Sequence, residues 1–404
     1  MFFLPSNPWE RGVVVLACVA ALAVLVPVTV LFIECVAALW PNKPAAAAPR
    51  PRLAVLVPAH NESAGIEPVL RALVAQMGAH DRVVVIADNC SDDTAACARA
   101  TGVTVIERQD NERRGKGYAL DHGMRFLAND PPEVVVVVDA DCLVEPGALE
   151  RLACTAIANQ RPVQAVYLME PPAQPQPKDA VSALAFLVKN WVRPSGLYTL
   201  GFPGILTGTG MAFPWKVLQQ VSLASGNIVE DMQLSMDLAI LGAPTLFVPT
   251  AKVLGLLPQQ QSAAKSQRTR WEHGHLRTMR TQVPRLLGQA IKQRRLDLAV
   301  IALDLLVPPL SLLVMLWGAV TVGSVALALV THAWLPSFLC AMAGAMIAVA
   351  ILSAWMKYGR TMLPAKALLA VPFYVLWKIP LYVSYVVRPQ TKWVRTERDA
   401  PTKR

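Results

Sequence analysis

With 404 residues, a hydrophobic fraction of 54% and a mean hydropathy of +0.40, the chain exceeds one ordinary domain and is too apolar to be wholly soluble. Its seven cysteines, Cys18, Cys35, Cys90, Cys97, Cys142, Cys154 and Cys340, are odd in number and form no CxxC pair, which fits neither a disulfide framework nor a zinc site and points to a reducing compartment for the soluble part. The formal charge of +10 does not indicate a nucleic-acid partner, because the basic residues gather beside the apolar runs, where positive-inside topology and anionic membrane lipids account for them.

Residues 1–11 read as a tail. From Gly12 to Ile33 no residue is charged, a run of 22 against the roughly 20 that one helical span needs. The run is too long for the apolar part of a signal peptide, so an uncleaved anchor is expected over residues 12–40. Lys43, Arg50 and Arg52 follow it, which places the next segment on the cytoplasmic side of an inner or plasma membrane.

From Leu53 short apolar runs alternate with helical stretches, the pattern of an α/β domain whose sheet is covered by helices on both faces; this domain is expected over residues 51–272. Strands are predicted at Leu53 to Val57, Arg82 to Ala87, Val103 to Glu107, Val134 to Val138 and Val163 to Met169. Helices are predicted at Gly65 to Met77, Ser91 to Ala100, Lys116 to Leu127 and Pro146 to Asn159. The stretch VVVVVDADCLVE, Val134 to Glu145, anchors this reading. Five consecutive β-branched residues suit a central strand buried on both faces, and the strand stops at Asp139, Ala140, Asp141, where open α/β sheets place their ligands. An Asp-x-Asp step there suits Mg²⁺ or Mn²⁺ holding a diphosphate; its bland alternative is a helix cap.

Glu170 to Lys178 is a proline-rich loop leading to a second half that carries the acceptor side. Leu206 to Phe213, LTGTGMAF, has glycines where the backbone comes close to something; Gly208, Thr209 and Gly210 are kept as candidates for acceptor binding. Asn227 to Leu238 enters an amphipathic helix with Glu230 and Asp231 at its start. A strand is expected near Thr245 to Val248, and a polar helix from about Ser262 carries QRTRW, Gln267 to Trp271. Residues 273–296 read as an amphipathic helix in the headgroup layer. Leu305 to Met356 holds no Asp, Glu, Lys or Arg over 52 residues, giving spans at 297–331 and 334–356. Residues 365–388 are ambiguous between a fourth span and a kinked re-entrant or interfacial hairpin. Lys378 sits mid-segment beside Pro380, Pro372 adds a kink, and a full crossing would place the basic tail 389–404 outside, so the hairpin is preferred.

Four constellations stand in order: Asp88 in ADNCSDDT, Asp139 with Asp141, Glu230 with Asp231, and Gln267, Arg270 and Trp271. This order resembles the inverting family 2 glycosyltransferases, and within them the membrane-embedded branch that includes cellulose, hyaluronan and poly-N-acetylglucosamine synthases and the ceramide glucosyltransferases. The resemblance covers roughly Leu53 to Met279. It implies a GT-A-type, Rossmann-like mixed sheet flanked by transmembrane helices, a UDP-sugar donor and a glycan or lipid acceptor.

By that resemblance Asp88 binds the nucleotide base, within a donor rim that also includes Pro58, Asn61 and Glu62 of VPAHNES. Lys116 of RRGKGYAL meets a phosphate at a helix start. Asp139 contacts ribose or sugar hydroxyls and shares the metal with Asp141. Asp231 is the catalytic base, with Glu230 beside it. Arg270 presents a planar fork to the leaving diphosphate, Gln267 assists there, and Trp271 is a platform for the acceptor sugar. Each has a plainer alternative: for Asp88 an Asx-turn capping the next helix, which suits Ser91 and Asp93 better, a solvated Lys116, charge at a helix N-terminus for Glu230 and Asp231, an interfacial anchor for Trp271. His273 and His275 are expected to be satisfied or exposed rather than a metal pair, and Asp304 to be a polar contact on an acceptor path or a snorkelling side chain.

The chain departs from the polymer-synthase pattern in its single leading span and in Val229 before the Glu-Asp step. A glycolipid synthase, a subunit that completes a pore as a homo-oligomer or with polysaccharide-export partners, and a degenerate nucleotide-sugar-binding membrane scaffold therefore all stay open.

Overall fold

The computed structural model describes residues 7–41, 48–170, 177–227, 229–256, 261–360, 364–365 and 371–387. Residues 171–176 of the proline-rich loop and the basic tail 389–404 lie outside the described residues. Eight strands form one mixed sheet: β1 (Leu53–Ala59), β2 (Arg82–Asp88), β3 (Thr104–Arg108), β4 (Val134–Val137), β5 (Cys142–Val144), β6 (Val163–Glu170), β7 (Met211–Pro214) and β8 (Leu246–Leu256). Their order is β3-β2-β1-β4-β7-β6-β8-β5, with β3, β2, β1 and β4 mutually parallel and β7 antiparallel to both neighbours.

Alternation along the valine run explains why it is buried on both sides. Val134 and Val136 join Val55, Val83, Leu70 and Leu149 on one face; Val135 and Val137 join Leu56, Ile86, Leu120 and Leu238 on the other. Helices Ile66–Val74 and Ala148–Asn159 therefore cover the first face, and Lys116–Leu127 and Glu230–Ile240 the second. The chain winds outward from β1 through β2 to β3, then returns to β4 on the other side of β1. That reversal opens a crevice at the carboxyl ends of β1, β2 and β4, which end next to Pro58, Asp88 and Asp139.

Several elements differ from expectation. Strand β8 is far longer than the predicted Thr245 to Val248. Its pairing with β6 jumps from Ala165↔Val248 to Val166↔Lys252, so Pro249, Thr250 and Ala251 bulge out and the proline's missing N–H interrupts no ladder. The expected polar helix and the expected interfacial helix over 273–296 are one continuous helix, Gln261–Gln293. Its second half packs Leu286 and Ala290 on Val229, Met232 and Met236, and Gly274 lies so near that an added Cβ would meet Val229 Cγ1 at 2.6 Å. The single span expected over 297–331 breaks at Val307 to Pro309 into helices Leu296–Leu306 and Leu310–Thr331, because two successive prolines cannot continue a helical hydrogen-bond ladder.

Among the described residues three helices are long and apolar enough to cross a membrane: Pro8–Ala37, Leu310–Thr331 and Leu335–Gly359. They meet through Val24, Val28 and Leu31 of the first and Ala343, Ile347 and Ala350 of the last, and leave Leu16, Val322, Val330 and Phe338 exposed outward. The segment 371–387 forms two short helices, Val371–Trp377 and Ile379–Val387, that meet at Lys378. The Lys378 ammonium pairs with Glu272, and Tyr382 shares a 2.6 Å hydroxyl hydrogen bond with Ser311, so the segment folds against the helix that bears QRTRW.

Asp304 does not snorkel. It is buried and bonded to Arg193, whose Nε also donates to Glu34 at 2.5 Å; one cation thus ties the first apolar helix to helices Arg193–Thr199 and Leu296–Leu306. Gly196 permits the approach, since a Cβ there would stand 1.9 Å from the Glu34 carbonyl oxygen. Arg193→Met leaves two buried carboxylates without their cation and is expected to cost about 3–5 kcal/mol. Thermal unfolding in detergent reads this as a large drop in apparent melting temperature; an unchanged transition would show that the three groups contribute nothing to the docking.

Candidate active site

A cavity of about 440 Å³ opens along the carboxyl edge of the sheet and runs towards the apolar helices. One end of it is built by the loops after β1 and β2. Asn61, at φ 55°, accepts from Ser91 N at 2.7 Å and donates to Ser91 Oγ at 3.0 Å; Thr94 Oγ1 accepts from Glu62 N at 2.7 Å, and His60 Nδ1 donates to the Asp88 carbonyl at 2.7 Å. Pro58, Glu62 and Asp88 line the cavity, whereas Asn61 holds the two loops together beside it.

The Asx-turn expected at Ser91 or Asp93 falls between them on Asp92, which accepts from Thr94 N at 3.1 Å. Asp88 accepts instead from Arg108 Nη1 at 2.6 Å. Motif reading passes over Arg108, yet a signal exists: it ends β3 directly opposite Asp88 in the ladder, two residues before the loop that leads to RRGKG.

Gly115, at φ 129°, turns the chain into helix Lys116–Leu127 and aims Lys116 into the crevice. Its ammonium bonds Asp139 and, at 2.6 Å, the Gly208 carbonyl. Burial opposes the charge on Lys116, but the carboxylates of Asp139 and Glu230 outweigh it and hold the ammonium above the usual lysine range. Asp139, Asp141 and Cys142 bring ligand atoms within 4.8 Å of one another.

The LTGTG loop forms the floor. Gly208, at φ 92°, touches Asp231: a Cβ there would be 3.3 Å from Asp231 Oδ2. Thr209 and Gly210 do not line the cavity as expected. Thr209 is fully buried, accepting from Asp139 N at 3.1 Å, and Gly210 is pressed against Val253 and Ala165, where any Cβ would clash. Buried Gln164, another residue without a motif, fixes this loop by accepting from Thr207 N and donating to the Thr209 carbonyl, each at 2.9 Å.

Glu230 and Asp231 occupy the first turn of helix Glu230–Ile240, and Asp231 Oδ1 accepts from Met232 N at 2.8 Å. Burial and the neighbouring Asp231 charge push Glu230 up to about 7, and burial likewise raises Asp231. Across the cavity, helix Gln261–Gln293 presents Gln267, Arg270 and Trp271. Trp271 packs at 5.7 Å on Phe186 with the rings tilted by 38°, and Phe186 meets Tyr167 edge-on at 5.2 Å. His273 and His275 form no metal pair. Their Nε2 atoms bond the Leu381 and Val307 carbonyls at 3.1 and 3.2 Å, and burial, with Lys189 and Arg193 nearby, pushes His275 down to about 3.

A mixed sheet with its ligand crevice at the switch between β1 and β4, ringed by carboxylates from four separated stretches, defines a GT-A-like domain. The profile of the glycosyltransferase like family 2 matches residues 49–274, more than half of the chain, and the chain belongs to that family. Among curated relatives, the probable glycosyltransferase YdaM of Bacillus subtilis is 26% identical over 241 residues, covering 56% of this chain and 55% of its own. Glucosyl-3-phosphoglycerate synthase of Mycobacterium tuberculosis is 36% identical over 103 residues, covering 24% and 31%. The chain thus spans about half, or less, of the length of these relatives. A solved mannosyltransferase from Pyrobaculum calidifontis, in complex with GDP-Man and Mn²⁺, matches with a TM-score of 0.53 at 21% identity over 90% of this chain and 99% of that one, which establishes a shared fold.

Proposed function

We propose that the protein transfers a sugar with inversion from a nucleotide-sugar donor, UDP-linked in the first reading, to a lipid-linked acceptor at the cytoplasmic face of a membrane that its three long apolar helices cross. The observation that carries this is the convergence of Asp88, Asp139, Asp141, Asp231, Gln267, Arg270 and Trp271 on one cavity. Its far end reaches Leu31, Leu310 and Ser311 of the apolar helices, which favours a lipid over a free glycan.

Asp88, steadied by Arg108, offers a carboxylate to the N–H edge of a base such as uracil. The Asp139 and Asp141 carboxylates fit a hard divalent cation, Mg²⁺ or Mn²⁺; the soft, fully buried Cys142 sulfur behind them does not. Such an ion supplies charge neutralisation at the diphosphate. Lys116 stands beside Asp139 and Arg270 across the cavity, both placed to meet phosphate oxygens as charge builds on the leaving group. Asp231 accepts the proton of the acceptor hydroxyl as it attacks the anomeric carbon, and Gly208 lets donor and base approach without a side chain between them. Trp271, backed by Phe186, gives the acceptor a flat wall.

The full chain in lipid nanodiscs, given a panel of UDP- and GDP-sugars with Mn²⁺ or Mg²⁺, should release nucleoside diphosphate and form a glycosylated lipid visible by mass analysis. Donor binding without release would instead identify a nucleotide-sugar-binding scaffold.

The Glu230 and Asp231 pair sets an acid limit. As pH falls through about 7 Glu230 takes up a proton, which removes its repulsion of the Asp231 carboxylate and makes Asp231 a weaker base; as pH rises the basicity returns. The acid limb of kcat/KM for the donor is therefore expected near 7, and Glu230→Gln should move it to lower pH. A wild-type limb in the ordinary carboxylate range near pH 4 would show that the two groups are not coupled.

A further inference from the structure

The cationic side chains along the cavity are almost all matched. Lys116 bonds Asp139, Arg193 bonds Glu34 and Asp304, Arg268 pairs with Asp179 at 3.4 Å, and Lys378 bonds Glu272. Lys189 also lines the cavity, but makes no hydrogen bond or ion pair among the described residues. It lies on the π-helical turn Val188–Val192, between helices Pro177–Leu187 and Arg193–Thr199. Val188 and Val192 of that turn are buried against the apolar helices, which leaves Lys189 facing the cavity. Turns of this kind are local insertions that recur where a helix has been reshaped for a ligand.

The charges around Lys189 place it. Its ammonium feels Asp231, Arg193, Glu272 and Asp304, whereas Lys116 feels Asp139, Glu230 and Asp231. Asp231 is thus shared: Lys116 bonds Asp139, whereas Lys189 follows Val188, which packs in one cluster with Leu31 and Leu310. Lys189 is exposed within the cavity, so its ammonium is open to an anion that enters from the side of the apolar helices.

We propose that Lys189 binds the phosphate of an anionic phospholipid acceptor whose headgroup, of the glycerol or inositol type, bears the attacking hydroxyl. This rests on the transferase reading above. The headgroup oxygen forms the new bond to the anomeric carbon, the bond from that carbon to the nucleoside diphosphate breaks, and the hydroxyl proton passes to Asp231. The lipid phosphate stays intact on Lys189, and the acyl chains lie among Leu31, Leu197 and Leu310.

The test uses the full chain in phosphatidylcholine nanodiscs doped with either phosphatidylglycerol or diacylglycerol, both of which carry a free hydroxyl, while only the first carries a phosphate. Wild type is expected to favour phosphatidylglycerol in kcat/KM by at least about tenfold, chiefly through KM, the scale of one charge-assisted hydrogen bond. Lys189→Met should collapse the preference and Lys189→Arg should retain most of it; Lys189→Gln substitutes for the Met variant should that one not fold. Lys292→Met, at an exposed site on helix Gln261–Gln293, reports general attraction to an anionic surface and should keep the preference. Equal use of the two lipids by wild type, a preference that survives in Lys189→Met, or an equal loss in Lys292→Met overturns the proposal while transfer itself stands. No product with any acceptor or donor removes the transferase reading as well.

Discussion

Asp231→Asn is expected to lower kcat by about 10³-fold while leaving the donor dissociation constant within about threefold, because it removes proton acceptance and little else. The amide keeps an oxygen where Oδ1 accepts from Met232 N at 2.8 Å, and its volume still fits against Gly208. What it lacks is an acceptor for the hydroxyl proton at the moment the glycosidic bond forms. Asp231 contacts no base-binding residue, so donor affinity, measured by calorimetry on the same preparation, should be nearly preserved. A kcat within tenfold of wild type would show that another group takes the proton.

Asp141→Asn should lower turnover by about 10²–10³-fold, the scale seen when one stabilising group is removed from a developing oxyanion. Here the diagnostic is binding, not rate. Asp139 is engaged by Lys116 and by a backbone hydrogen bond from its own N to Thr209, whereas Asp141 lies two residues further on, next to Cys142, at 3.4 Å from its sulfur. In Mn²⁺ the variant should bind nucleoside diphosphate more weakly than wild type; in EDTA the two should bind equally. Equal affinities in Mn²⁺ would mean that the Asp139 and Asp141 pair does not hold the ion.

Most of the donor half was legible because its cues are local. The run Val134 to Val138 had to be buried on both faces, and the strand stops where two carboxylates follow, so both the strand and its functional end can be read without knowing its neighbours. The helix Lys116–Leu127 has the predicted bounds because a glycine at positive φ starts it and its apolar spacing carries it through. Strands β5 and β7 escaped notice, since three or four residues give no usable periodicity and their pairing partners lie far along the chain.

Arg108, Gln164 and Lys189 were missed for a related reason. None belongs to a motif, and each matters through what a distant segment places opposite it: Asp88 across a ladder, the LTGTG loop beneath the crevice, and Asp231 on a helix more than forty residues away. Thr209 and Gly210 show the converse. Their composition advertises a close backbone approach, but the sequence cannot say to what, and the approach is to the sheet and not to an acceptor.

By itself, the order of residues determined the α/β class, the apolar helices and the identity of the chemically competent side chains. All three follow from short-range periodicity and from the intrinsic chemistry of carboxylates, guanidinium and indole. Only the tertiary structure decided which of those groups share a cavity, which cations are already neutralised, and that the helix bearing Trp271 runs on unbroken to pack against the helix bearing Asp231. Those outcomes depend on contacts between segments far apart in the chain, where packing and desolvation, which no local pattern encodes, set both the distance between groups and the charge they carry.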